Sequence, residues 1–124
     1  DHYDGYEALP GLHVKGYQTL GENIADLGGI NVAYDAMKAA TAGTPDPMTD
    51  GMDRDQRFFL GFGTIWRGQL TPDYLKVIVN TNEHAPDQFR AIGAPSNMPA
   101  FAAAFSCKAG DPMVRSGDKQ VVIW

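Results

Sequence analysis

Hydrophobic residues recur at three- and four-residue steps in two long stretches of this chain, which predicts two amphipathic helices. The first stretch runs from Thr19 to about Thr41, and the second runs from Arg54 to about Arg67. The apolar positions are Ile24, Leu27, Ile30, Ala33, Tyr34 and Met37 in the first stretch, and Phe58, Phe59, Phe62, Ile65 and Trp66 in the second. Each set occupies one side of its helix, so we expect both sides to be buried in a core.

Shorter signals predict two further helices and a mainly α fold. Thr71-Pro72-Asp73 combines an N-cap Thr, a Pro at the first helical position and an acid in the first turn. That helix should end near Asn82, and a last helix should start at Asn97-Met98-Pro99. The side chains of the third helix expected to face inward are Tyr74, Leu75, Ile78 and Val79. Residues 1–18 are expected to be irregular or extended, and the loop 42–53 is expected to join two antiparallel helices.

The start of the first helix carries two carboxylates. Glu22 and Asp26 are four residues apart, which places them on one helical face, where a nearby cation would offset their repulsion. Thr19-Leu20-Gly21-Glu22 also fits a capping box, in which the Glu22 carboxylate reaches back to the Thr19 amide. Gly28 and Gly29 follow, and such small residues would let another helix approach closely. The local pattern leaves both readings of Glu22 open, as a cap and as a metal ligand.

Composition limits the classes of function. The chain has 124 residues, of which 44% are hydrophobic, so it can form one domain or part of a longer protein. Its net charge of −5 and the absence of a run among its ten Lys and Arg argue against a nucleic-acid surface. Cys107 is the only Cys, which excludes an intrachain disulfide, and we expect it to be a small buried side chain. Because the first residues are typical of a loop, we predict the C-terminal part of a longer protein.

Other candidate residues give weaker signals. His2 and His13 have no second His at helical spacing and are expected to be polar loop residues. His84 and Arg90 flank a turn marked by Pro, so they either converge on one ligand or are ordinary surface residues. Ile65 is expected in the core, although it and its neighbour Trp66 also stand where a substrate pocket could form. The apolar terminus from Val121 to Trp124 is expected to dock onto the body of the fold.

Several motifs follow one another in a fixed order from about residue 6 to residue 124. They are Thr-Leu-Gly-Glu-Asn-Ile-Ala-Asp-Leu-Gly-Gly at 19–29, Arg-Phe-Phe-Leu-Gly-Phe with Ile-Trp at 57–66, Pro-x-Tyr at 72–74, Asn-x-His-x-Pro-x-x-Phe-Arg at 82–90, Ile-Gly at 92–93, Asn-Met-Pro-Ala-Phe with Ala-Phe-x-Cys at 97–107, and Trp124. Together they resemble the C-terminal end of the neprilysin family of zinc endopeptidases. The resemblance implies that residues 1–124 are the helical C-terminal part of a thermolysin-like (gluzincin) catalytic domain.

The resemblance also implies roles for individual residues. Glu22 corresponds to the third zinc ligand, which joins two His of an H-E-x-x-H helix, and Asp26 to the acid that orients a ligating His. His84 corresponds to the His that stabilises the transition state, and Arg90 to the Arg that holds a substrate carbonyl. Ile65 and Trp66 would contribute to the hydrophobic pocket for the residue after the scissile bond.

Two departures from the family pattern shape the expectation. The chain contains no H-E-x-x-H, so we expect that motif upstream, one Zn²⁺ per complete site, and no activity from this chain alone. Val121 stands where animal members carry a Cys, which favours a bacterial member. The expected partners are peptide substrates and the upstream polypeptide, with a second copy of the chain as a further candidate. The family implies an extracellular, periplasmic or membrane-anchored ectodomain. The alternative function is a non-catalytic helical binding or interaction module.

Overall fold

Helices dominate the computed structural model, which describes residues 2–123 of the chain. The α helices are α1 Leu20–Ala40, α2 Arg54–Ile65, α3 Pro72–Thr81, α4 Asp87–Gly93 and α5 Pro99–Ala104. The strands are β1 Glu7–Leu9 and β2 Leu12–His13, and single 3-10 turns cover Tyr3–Gly5, Pro95–Asn97 and Gly117–Lys119. The prediction of a mainly α fold with helices starting near residues 20, 54, 72 and 99 is confirmed.

The first residues form a small hairpin. Strands β1 and β2 are antiparallel, with Glu7 opposite His13 and Leu9 opposite Leu12. Gly11 closes the turn at a φ of 76°, a conformation that glycine adopts without steric cost, and its N–H donates to Glu7 Oε1 at 2.7 Å. The predicted extended structure in this region is therefore a paired hairpin.

The helix starts differ in how they are capped. At α2, Asp53 accepts a hydrogen bond from the Gln56 N–H at 2.8 Å, and the Gln56 side chain accepts from the Asp53 N–H at 3.2 Å. Of the two readings of Glu22 that the local sequence left open, the capping box with Thr19 is not formed. The Thr19 hydroxyl donates to the Lys15 carbonyl at 3.3 Å and makes no side-chain cap to α1, so Glu22 is free to point elsewhere.

Two groups of buried side chains hold the helices together. The first is built from α1, α2 and the segment before α5, and its members are Leu27, Ile30, Phe59, Ala94 and Met98. The second joins the first residues of the chain to α4, and its members are Tyr3, Val14, Ala85 and Phe89. Aromatic side chains of α2 and α5 pack around the first group, as the apolar stripe predicts. Helix α4 carries Phe89 of the second group and leads directly into Ala94 of the first, so it links the two groups.

Several predictions about burial are wrong. Ile65, the last residue of α2, is 71% exposed, and Tyr74, in the first turn of α3, is 54% exposed, so the apolar faces are not covered at these helix ends. The side chains of residues 121–123 are also exposed, although the Val121 N–H donates to Asn97 Oδ1 at 2.8 Å. Cys107 is half-buried rather than buried. Trp124 lies outside the described residues. Within residues 2–123, no helix has both the length and the apolar character needed to cross a membrane.

Candidate active site

The first turn of α1 meets the loop between α3 and α4 through Glu22 and His84. Glu22 Oε2 lies 3.1 Å from His84 Nε2, and the side chains are 37% and 38% exposed, respectively. A carboxylate can only accept a hydrogen bond, so this contact is an ion pair when the imidazole is protonated. The structure therefore brings together two residues that the sequence assigned to one site, and it leaves both accessible.

Asn82 fixes the orientation of His84. Asn82 Oδ1 accepts the backbone N–H of His84 at 2.9 Å and lies 3.0 Å from Nδ1 of the same residue. Because an amide oxygen only accepts, this contact assigns a hydrogen to Nδ1 and directs Nε2 toward Glu22. The Gln18 side chain donates to the Asn82 carbonyl, which ties this loop to the residues just before α1.

One turn further along α1, Asp26 forms a two-point ion pair with Arg90. Arg90 Nε donates to Asp26 Oδ2 and Nη2 donates to Oδ1, each at 2.7 Å. Only 13% of the Arg90 side chain and 10% of the Asp26 side chain are exposed. The hydrogen bonds to Asp26 raise the pKa of Arg90 above its ordinary value, so the guanidinium stays charged. Such planar, charge-assisted pairs are among the strongest hydrogen bonds in proteins.

Trp66 covers Arg90 from another side. The Arg90 guanidinium carbon lies 4.0 Å from the centroid of the Trp66 ring, which is the geometry of a cation–π contact. Trp66 in turn packs edge-on against Phe62 of α2. Its indole nitrogen is buried and finds no hydrogen-bond partner in the described part of the chain. Trp66 is thus part of the same cluster as Arg90, whereas its neighbour Ile65 projects into solvent.

The described residues supply one candidate zinc ligand and not a complete set of ligands. The described residues contain no group of three His, Cys, Asp or Glu side chains placed to hold a metal ion. Catalytic zinc takes three protein ligands and keeps one position open. The accessible Glu22 carboxylate suits one of these three positions, and the nearly buried Asp26 behind it suits an indirect role.

Asn82, in the site, and the neighbouring Tyr3, which is not part of it, were not found from the sequence. Asn82 stands two residues before His84, and the Asx-turn preference for a backbone N–H two residues on is a signal that would have found it. Tyr3 is only 6% exposed, and burial raises the pKa of its phenol well above the ordinary value, with smaller contributions from Tyr6 and Asp26. No local motif marks Tyr3, because its surroundings come from distant parts of the chain.

The comparisons with known proteins agree with one another. Peptidase family M13 matches residues 1–121. Mouse neprilysin is 37% identical over 122 residues, which cover 96% of this chain and 16% of that protein. Human membrane metallo-endopeptidase-like 1 is 38% identical over 104 residues, which cover 82% of this chain and 13% of that protein.

Solved structures show the same fold. Mycobacterium tuberculosis zinc metalloprotease Zmp1 in complex with an inhibitor superposes with a TM-score of 0.92 at 34% sequence identity, covering 99% of this chain. Its open state superposes with a TM-score of 0.91. This chain spans 20% of each of these structures and about one sixth or less of the curated relatives. The predicted resemblance is confirmed, and the chain belongs to Peptidase family M13, the neprilysin family.

Proposed function

We propose that these residues form part of a zinc-dependent endopeptidase and that Glu22 supplies one of its three protein zinc ligands. The observation that carries the proposal is the meeting of Glu22 and His84 at 3.1 Å, next to the Asp26–Arg90 pair. Membership of Peptidase family M13 and the likeness to a zinc metalloprotease of known structure support it. The other two ligands would be the His residues of an H-E-x-x-H motif elsewhere in the same polypeptide.

His84 would act at the oxygen of the scissile carbonyl. When bound, a zinc ion supplies an acidified water molecule and polarises that carbonyl. His84 Nδ1 donates to Asn82, so Nε2 donates a hydrogen bond to the forming oxyanion when the ring is an imidazolium, which carries a hydrogen on each nitrogen. Because this interaction strengthens as charge develops, it accelerates the chemical step rather than merely binding the substrate.

Asp26 and Arg90 would act as a positioning unit. Each Asp26 oxygen accepts one hydrogen bond from Arg90, and a carboxylate has about four acceptor positions. Asp26 therefore keeps capacity to accept the N–H of a zinc-ligating His and to fix its orientation. On Arg90, Nη1 is the nitrogen that makes no hydrogen bond to Asp26, and it is the group we assign to a substrate carbonyl.

The proposed substrates are peptides with an apolar residue after the scissile bond. Trp66 stacks on Arg90 and so places an apolar ring beside the group that would hold the peptide. Ile65 is 71% exposed next to it, and an exposed apolar side chain at this point would be covered by a bound substrate side chain. We also propose that the whole protein acts outside the cytoplasm, as an extracellular, periplasmic or membrane-anchored ectodomain.

The alternative of a non-catalytic binding module has less support. It explains the aromatic stripe, but it does not explain why Glu22, Asp26, His84 and Arg90 converge. Taken alone, this chain offers zinc a single carboxylate of the proposed ligand set, and one carboxylate does not hold the ion against water. We therefore propose that these 124 residues are inactive without the rest of the polypeptide.

Substitution of Glu22 in the full-length polypeptide tests the proposal. Glu22→Gln removes the charge at constant shape and should abolish stoichiometric zinc, measured by elemental analysis of the purified protein. Glu83→Gln, which changes an exposed acid beside His84, is the matched control and should keep its zinc. A Glu22→Gln protein that retains one zinc ion per molecule would defeat the ligand assignment.

A further inference from the structure

A cavity of about 160 Å³ lies between the first turns of α1 and the first residues of the chain. Its walls are mainly apolar and include Leu20, Ile24, Leu27 and Ile123. Tyr3 and Asn23 are among the polar side chains that line it. Both are at least nine-tenths buried, at 6% and 9% exposure, and neither belongs to the proposed catalytic machinery.

The side-chain oxygen of Asn23 is a hydrogen-bond acceptor that receives no donor from the described residues. Asn23 Nδ2 donates to Thr19 Oγ1 at 2.9 Å, and the Thr19 hydroxyl hydrogen is used on the Lys15 carbonyl. The amide nitrogen must therefore face Thr19, which leaves Asn23 Oδ1 on the other side of the group. That oxygen is buried and has no hydrogen-bond partner within residues 2–123. A buried acceptor left in this state is costly, so a donor is expected there.

The Tyr3 hydroxyl is a second buried polar group at this cavity. Its oxygen is buried, and the described residues give it no hydrogen-bond partner. The ring is held in place by edge-on contacts with His2 and Tyr6. The phenol also lies so close to Gly93 that a Cβ there would collide with its oxygen. A rigidly held, protonated phenol can donate to a carbonyl oxygen that enters the cavity.

We propose that a main-chain segment from the rest of the polypeptide docks into this cavity, with its N–H on Asn23 Oδ1 and a carbonyl on the Tyr3 hydroxyl. A peptide backbone carries one donor and one acceptor per residue, and an apolar side chain on the same segment would fill the space between Leu20 and Ile24. About four-fifths of each matched Zmp1 chain lies outside the part that this chain covers, so ample polypeptide exists in such proteins to occupy it. The inference rests on the proposed function only in treating these residues as part of a longer protein.

A structure of the full-length polypeptide tests the proposal directly. The expected result is a main-chain nitrogen within about 3.2 Å of Asn23 Oδ1 and a main-chain oxygen within about 3.0 Å of the Tyr3 hydroxyl. Ordered water alone, only side-chain atoms, or a second copy of the chain at these positions would each overturn it.

A conservative substitution gives an independent test in the same protein. Tyr3→Phe removes only the hydroxyl and should lower the midpoint of thermal unfolding by about 1–3 °C, because a hydrogen bond is lost. Tyr74→Phe, at a half-exposed phenol on α3, should leave the midpoint unchanged. An equal or higher midpoint for Tyr3→Phe would show that the hydroxyl has no partner. The zinc content of Tyr3→Phe should stay at one per molecule, so a failure of this inference is separable from a failure of the Glu22 assignment.

Discussion

Asp26 and Arg90 are joined by two parallel hydrogen bonds of 2.7 Å, although α1 and α4 lie far apart in the sequence. The pair is nearly buried, and the Trp66 ring covers the guanidinium. It therefore holds the helix that carries Glu22 to the helix that follows His84. The two residues that would position a zinc-ligating His and a substrate carbonyl, respectively, also connect the two halves of the proposed site.

Loss of the Arg90 charge should destabilise the fold. Arg90→Met leaves the Asp26 carboxylate nearly buried without its partner, which should lower the free energy of unfolding by about 3 kcal/mol. Urea denaturation measures the change. Lys38→Met breaks the exposed ion pair with Asp55 and should cost less than about 1 kcal/mol. Equal effects of the two substitutions would show that burial does not strengthen the Asp26–Arg90 pair.

Loss of the His84 imidazole should slow the chemical step. In the full-length enzyme, His84→Ala should lower kcat by about 10²–10³-fold with little change in KM, because the lost hydrogen bond forms as the oxyanion develops. Steady-state kinetics on a peptide substrate separates the two constants. His13→Ala, at an exposed position on β2, is the control and should behave as wild type. A change in KM alone would assign His84 to ground-state binding.

Asn82 should act on catalysis through His84. Asn82→Ala removes the acceptor for both the backbone N–H and Nδ1 of His84, and it should lower kcat by about 10-fold, as is typical when an orienting partner is lost. Asn82→Asp keeps an acceptor at the same position and should recover most of the lost kcat. If Asn82→Asp is as slow as Asn82→Ala, the hydrogen bond to Nδ1 is not the cause.

Substitution of Gly93 should be destabilising for a steric reason. A Cβ at Gly93 would collide with the phenol of Tyr3, so Gly93→Ala should lower the free energy of unfolding by about 1–3 kcal/mol. Gly29→Ala is the matched control, because its Cβ meets no atom within 4 Å and Ala favours a helix by about 1 kcal/mol. Circular dichroism during denaturation of the 124-residue chain measures both. A stabilising Gly93→Ala would mean that Tyr3 does not pack against this glycine.

Sequence patterns predicted the elements whose causes are local. Helix α3 begins at Pro72 because Thr71 caps it and proline fits its first position, and all of that information lies in three adjacent residues. Helix α2 was predicted from its aromatic stripe, and that pattern also lies within one short stretch of the sequence. The stripe could not predict that Ile65 is exposed, since exposure depends on what other elements cover the last turn of the helix.

The features that the sequence patterns did not predict depend mostly on contacts between residues distant in the sequence. The Thr19 capping box is a valid local pattern, yet the Thr19 hydroxyl bonds to Lys15 and the Glu22 carboxylate meets His84. Helix α4 has only seven residues and no side-chain cap, so its position is set by the burial of Phe89 and by the Asp26–Arg90 pair. The motif resemblance predicted which residues share the site, and the structure gave the distances between them. Asn82 and Tyr3 were identified only from the structure.

The hydrogen bond from Gln18 to the Asn82 carbonyl has a mechanical consequence. Gln18 lies just before α1, and Asn82 holds the His84 ring, so the segment leading into α1 and the histidine loop are coupled. A displacement of Gln18 would therefore act on both ends of the Glu22–His84 contact, through the start of α1 on one side and through Asn82 on the other.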